Sequence, residues 1–266
     1  NLSAGDYEVA LGEVPDYETP KPTVVSVRDK VAYTAIPDIT LLMKTEADII
    51  AEEEDTGQRD AEEDADDTEI VDIRELGEEG QMGIDVSKWN GEIDWDRVRN
   101  AGITYAIIRC GYRGSSTGAL VEDPYFRQNM QGALSAGLKV GIYFFTQATN
   151  EVEAVEEASM ALALCRDYRV TYPIFIDTEG AGGNGRADGL DMETRTKVCQ
   201  AFCRTVEDAG YSGGIYGSRN WFRTRLRMDE LENYVIWLAE YREKPVYGGT
   251  YHLWQYTSSG NVDGIE

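Results

Sequence analysis

From about residue 82 onward, apolar positions cluster into short runs separated by longer amphipathic stretches. Tyr105-Ala106-Ile107-Ile108, Val140-Gly141-Ile142-Tyr143-Phe144-Phe145 and Pro173-Ile174-Phe175-Ile176 carry almost no polar alternation. Such runs predict strands buried on both faces, as in a parallel sheet wrapped by helices. Met82 to Ser87 and Gly214-Ile215-Tyr216 fit the same pattern. Ala101-Gly102, Ala136-Gly137 and Ala209-Gly210 each close a helical stretch, with glycine suited to the left-handed position after a helix. Helix starts are equally legible. Asp94 opens a short helix running to Ala101, Asp123-Pro124 reads as a cap followed by proline, and Asn150-x-x-Glu153 has capping-box spacing. Strand and helix in alternation predict parallel strands with crossover helices.

After Glu232 the rhythm changes. Tyr234 to Tyr241 and Tyr251 to Tyr256 read as strands with only a loop between them. Five βα units followed by strands without helices predict an α/β fold, an irregular TIM-like barrel of (β/α)5(β)3 type over residues 81–266. In such barrels chemistry gathers at the C-terminal ends of the strands.

Residues 1–80 follow no such rhythm. They carry 24 acidic and 6 basic side chains, net −18, against 25 and 19, net −6, for residues 81–266. A run dominated by acids, as from Glu52 to Asp67, repels itself and buries too little to offset its ordering entropy. The segment reads as an extended acidic spacer or stalk. Within it, Thr23 to Val27 and Val31 to Ile36 have strand composition and suggest a short hairpin around Arg28-Asp29-Lys30.

Charge and composition exclude several classes of function. No basic stripe exists to neutralise phosphates, so nucleic acid is not an expected partner. No stretch of 18 or more apolar residues appears, so no membrane-spanning segment is expected. Cys110, Cys165, Cys199 and Cys203 lack metal-ligand or disulfide-framework spacing. Cys199 and Cys203, four apart on a predicted helix, are expected to be buried thiols. The single histidine, His252, excludes histidine triads, His-Glu-x-x-His zinc sites and His-paired cysteine nucleophiles. A hydrolase built on this chain has to use carboxylates.

Carboxylates stand where they are needed. The apolar run Pro173 to Ile176 ends in Asp177-Thr178-Glu179-Gly180. Side chains alternate along a strand, so Asp177 and Glu179 share a side with Phe175, their α-carbons roughly 6.5–7 Å apart. That apolar footing desolvates at least one acid and favours its protonated form, as a general acid requires. Asp85 falls at the end of the first barrel strand. Tyr143, Phe145, Tyr216, Tyr241 and Trp254 fall at strand ends as well. An aromatic-lined cleft with acids at its base suits a sugar, whose ring faces stack on aromatics while its hydroxyls seek carboxylates.

Six motifs occur in one order: Asp85-Val86-Ser87-x-Trp89-Asn90-Gly91-x-Ile93-Asp94-Trp95, Ile108-Arg109-x-Gly111-Tyr112, Gly141-x-Tyr143-x-Phe145, Pro173-Ile174-x-Ile176-Asp177-x-Glu179, Trp237-Leu238-Ala239-x-Tyr241, and Leu253 to Ile265. Together they resemble the glycoside hydrolase family 25 lysozymes, the Ch-type N-acetylmuramidases, over residues 82–265. The resemblance implies hydrolysis of the β-1,4 bond between N-acetylmuramic acid and N-acetylglucosamine in peptidoglycan, without metal or cofactor. It implies Glu179 as general acid and Asp177 as the partner that orients or charge-stabilises the substrate's 2-acetamido group or the attacking water. Asp85 and Asp263 correspond to two supporting acids, and Arg109 joins the aromatics as a substrate-binding residue. Family members usually run several residues past Val262-Asp263-Gly264-Ile265, so Asp263 is the acid whose placement the resemblance defines least. The expected protein is a monomeric enzyme, secreted or tethered at the cell surface, with its signal or anchor ahead of Asn1. Two other readings stay open: a barrel that grips glycan without cleaving it, and a hard-cation site at Asp85, Asp177 and Glu179.

Overall fold

The structure, a computed structural model, describes residues 81–265 in full and, ahead of them, the backbone of two strands. The chain divides into two units, Asn1–Thr68 and Glu69–Glu266. In the first, β1 (Gly5–Val9) and β2 (Thr23–Val27) pair antiparallel, with Tyr7 opposite Val25. The expected strand at Thr23 to Val27 is therefore present, with β1 as its described partner. Val31 to Ile36 lies outside the described residues, so the expected hairpin partner does too.

The second unit is built on one curled sheet. In chain order its strands are β3 (Gly83–Val86), β4 (Tyr105–Arg113), β5 (Leu120–Glu122), β6 (Lys139–Phe145), β7 (Ile174–Asp177), β8 (Gly213–Ser218), β9 (Val235–Ala239) and β10 (Leu253–Gln255). The spatial order is β10-β9-β8-β7-β6-β4-β3, every neighbouring pair parallel, with β5 antiparallel on β4. Helices α1 (Trp95–Asn100), α2 (Phe126–Ser135), α3 (Glu151–Cys165), α4 (Met192–Asp208) and α5 (Arg219–Thr224) follow β3, β5, β6, β7 and β8. Between β9 and β10 no α-helix intervenes. This is the expected irregular TIM-like barrel, with β5 as the eighth strand of the sheet.

Local chemistry accounts for most boundaries. Asp94 caps α1 by accepting from Arg97 N, and Asn150 caps α3 by accepting from Glu153 N. Gly102, Gly137 and Gly210, after helices, take φ of 93°, 79° and 88°, which a Cβ would disfavour. Asp123 does not cap α2. Tyr125 holds that position without a side-chain bond, and Asp123 is spent on the backbone of Lys88 and Tyr125 and on Arg109. Glu153 likewise leaves the capping box for Arg186 and Thr149.

Strand alternation sorts the core into two layers. Ile174, Ile176 and Ile215 are fully buried on the helix-facing side, where α4 contributes Val198, Phe202 and Val206. Ile107, Phe175, Tyr216, Val235, Trp237 and Leu253 fill the barrel interior. A side chain on Gly214 would meet the Phe175 ring at 2.4 Å, so glycine there makes room for it. All four cysteines are free and buried, as expected for Cys199 and Cys203.

The two ends of the sheet, β3 and β10, are joined by no ladder among the described residues. Instead Gln255 Nε2 donates to Asp85 Oδ2 at 2.8 Å, and Ile93 forms an isolated antiparallel bridge with Ile265. A side-chain hydrogen bond thus links the edges at the mouth of the barrel.

Candidate active site

The cleft opens at the C-terminal ends of the parallel strands. It is lined by Asp85, Tyr143, Asp177, Glu179, Tyr216, Trp237 and Gln255. Each comes from a different strand end except Asp177 and Glu179, which share β7 and the two residues beyond it. Trp237 is its aromatic floor: its ring meets Tyr216 at 4.6 Å, Phe175 at 5.2 Å and Tyr143 at 6.1 Å, all edge-on. Edge-to-face packing at these distances fixes ring positions as well as burying area.

Three carboxylates crowd over this floor. Asp177 is buried at the end of β7, and its Oδ1 has no hydrogen-bond partner among the described residues. Burial pushes its pKa well above the ordinary range, the charges of Glu179 and Asp85 push it further, and Arg109 offsets part of the rise. Glu179 is open to solvent, yet the surrounding protein desolvates it and the Asp85 charge adds to that, so its pKa is raised as well. Asp85 is raised by burial, against which the Gln255 amide stabilises the charged form. Like charges this close lose protons as a group, and the cluster resists carrying its full negative charge.

The neutral groups are ordered around the acids. Tyr216 and Tyr241 hydroxyls donate to Gln255 Oε1 at 2.8 and 3.0 Å, so the other end of that amide must present its N–H to Asp85. Burial, with the neighbouring carboxylates, raises the phenols of Tyr143 and Tyr216 and keeps them protonated. Behind β7, buried Arg195 lies 4.2 Å from the Trp221 ring and bonds Ala187 O and Thr178 Oγ1, holding the segment that carries Glu179.

The expected site residues divide accordingly. Asp85, Asp177, Glu179, Tyr143 and Tyr216 are brought together, and Tyr241 stands exposed at the rim. Phe145 pairs in register with Asp177 but is not part of the lining. Trp254 is not brought into the lining. It lies between Leu253, in the interior, and Gln255, in the cleft, so alternation turns it to the other face of β10, where its indole donates to Glu240 O. Asp263 also lies apart. It is exposed, paired with the equally exposed Arg97, and outside the lining. Arg109 is nearly buried and committed through Nε to Asp123 at 2.6 Å, so it acts on the cleft through its charge.

Sequence reasoning missed two residues of the lining, Trp237 and Gln255. Both stand in the quoted motifs. The signal was parity: Gln255 sits two beyond Leu253, and Leu253 pairs with Trp237 across β9 and β10. Among the described residues no set of three or more His, Cys, Asp or Glu side chains is disposed to hold a metal ion.

A family model described as glycosyl hydrolases family 25 matches residues 84–265. The uncharacterized protein YegX of Escherichia coli K12 is 28% identical over 185 residues, covering 69% of this chain and 65% of that one. Lysozyme M1 of Streptomyces globisporus is 28% identical over 196 residues, 70% of this chain and 65% of its own length. Among solved structures, the modular autolysin LytC of Streptococcus pneumoniae in complex with a synthetic peptidoglycan ligand aligns with a TM-score of 0.62 and 28% identity, covering 73% of this chain and 47% of that one. The chain thus spans 65% of the length of these two curated relatives and about half of the autolysin.

Proposed function

This chain belongs to glycosyl hydrolases family 25, and on that premise we propose that it is a muramidase. Its reaction is hydrolysis of the β-1,4 bond between N-acetylmuramic acid and N-acetylglucosamine in peptidoglycan. The observation that carries the reading is the trio Asp85, Asp177 and Glu179 over an aromatic floor, with raised pKa at all three.

Glu179 is the general acid. It is the one member of the trio open to solvent, so it can both reach a glycosidic oxygen and be reprotonated from water. As the anomeric carbon–oxygen bond breaks, the Glu179 proton goes to the leaving oxygen and positive charge builds on the sugar ring. Asp177, deeper and with an unpartnered oxygen, faces that charge or the 2-acetamido group. Water then completes the cleavage by adding at the anomeric carbon, its proton passing to a carboxylate. Asp85, held by Gln255, supplies the fixed negative field that keeps Glu179 protonated. Tyr143 offers a neutral hydroxyl to the substrate, Tyr216, whose proton is given to Gln255, offers an acceptor oxygen, and Trp237 offers a ring surface beneath them.

The same reading puts the enzyme outside the cell or at its surface, where peptidoglycan is, with residues 1–80 as a spacer. The charge of that segment, net −18, supports it. The test is release of reducing sugar ends from purified cell walls, comparing the full chain with Glu179→Gln. The account expects release by the parent and a loss of at least a thousandfold, about 4 kcal/mol of barrier, in the variant. A fully active Glu179→Gln protein would overturn the assignment.

A further inference from the structure

We propose that the turn after Asp85 carries a second substrate contact, in which the Trp89 indole stacks a sugar ring and the Lys88 ammonium binds the acidic peptide of a muramoyl unit next to the one being cleaved. The proposal rests on the muramidase reading and adds which part of the polymer the rim recognises.

Trp89 is 79% exposed. A large aromatic side chain left in water contributes little to the fold, and here its support is unusually firm. Ser87 caps the turn by accepting from Trp89 N, and Asn90 Oδ1 accepts from Ser87 N at 2.9 Å. Gly91 closes it at φ 61°. From below, buried Asp123 accepts Lys88 N at 3.1 Å, and Arg109 holds Asp123 through the same oxygen. The backbone is thus fixed while the indole projects into solvent. A pre-organised aromatic anchor of this kind binds without a large ordering cost.

Lys88 adds chemical direction. Its Nζ lies 4.9 Å from the Trp89 ring centroid and 5.3 Å from that of Tyr112. Among the described residues no carboxylate pairs with it. The cleft a few residues away is acidic and has no use for a second positive charge in its proton chemistry. Beside a sugar-stacking ring, however, a cation matches the carboxylates that the peptide stems hang along the glycan strand. Ser87 joins the two regions, because its side chain lies beside the phenol of Tyr143, part of the cleft lining.

The test is calorimetric binding in a Glu179→Gln background, which removes turnover. The probes are glycan strands with peptide stems intact and the same strands stripped of stems by an amidase. Trp89→Ala is expected to weaken both about tenfold, 1.4 kcal/mol, with Trp89→Phe recovering most of the loss. Lys88→Gln is expected to weaken only the stem-bearing strands, about fivefold. Trp89→Ala binding both strands like its parent, or Lys88→Gln weakening both equally, would overturn the proposal. The wild-type chain is assayed alongside for reducing ends. If it releases none while Trp89→Ala still lowers affinity, the subsite stands and the hydrolase reading falls. Cleavage with affinity unchanged in Trp89→Ala does the reverse.

Discussion

Asp177→Asn should stabilise the protein while damaging the site. Asp177 is buried, one oxygen lacks a partner, and its neighbours Glu179 and Asp85 are both acidic. Side chains two residues apart on a strand lie about 6.5–7 Å apart, and two charges at that distance repel by about 2.5 kcal/mol at an effective dielectric near 20. Glu179 opens to solvent, which screens the interaction, so about 1–2 kcal/mol is the gain expected from removing the charge. For a domain of this size each kcal/mol moves Tm by about 2–4 °C, giving a rise of roughly 2–8 °C. The sign with pH follows from the raised folded-state pKa. Asp177's contribution to stability is fully present below its unfolded pKa and is lost as pH rises through the folded value. The amide cannot ionise, so its advantage should be large at pH 8.5 and vanish toward pH 4. Thermal unfolding of parent and variant at both pH values is the assay. A variant less stable than the parent at pH 8.5, or one with the same advantage at both, would refute the reasoning.

Other expected outcomes follow from individual contacts. Gln255→Leu removes the donor that favours ionised Asp85, so activity should fall about ten- to a hundredfold, with the low-pH limb of the rate profile moving upward; an unshifted limb would show that Asp85 does not depend on Gln255. Asp263→Asn breaks an exposed ion pair with Arg97, which contributes about 0–1 kcal/mol, so Tm should hardly move and wall lysis should stay within about twofold; a hundredfold loss would return Asp263 to the chemistry. Glu157 is wholly buried, and burial lifts its pKa to about 7 despite the Arg113 contact at 2.8 Å. Its stabilising effect is therefore complete below its unfolded pKa and lost as pH rises through 7, and Glu157→Gln should flatten that part of the stability–pH curve.

Strand and helix order, the left-handed glycines after helices and the two acids closing β7 were all legible from local pattern, because each rests on residues adjacent in the chain. Side-chain direction at β10 was not. Trp254 looked like a cleft aromatic, and only the seating of Leu253 in the interior turns Trp254 outward and Gln255 inward. Arg109 and Asp123 illustrate a second limit. Each has an ordinary local reading, substrate ligand and helix cap, but the 2.6 Å pairing between them commits both. Asp263 was assigned by motif, and its pairing with Arg97 depends on where the chain end meets α1, a contact between residues 166 positions apart. What pattern omits is competition among partners for one polar group.

The central claim is that Glu179 protonates the bond between N-acetylmuramic acid and N-acetylglucosamine. Mass spectrometry of fragments released from purified peptidoglycan, by the full chain and by Glu179→Gln, tests it most directly. The account predicts fragments ending in N-acetylmuramic acid at the new reducing end, absent from the variant digest. Fragments ending in N-acetylglucosamine, or none from a well-folded parent, would contradict it.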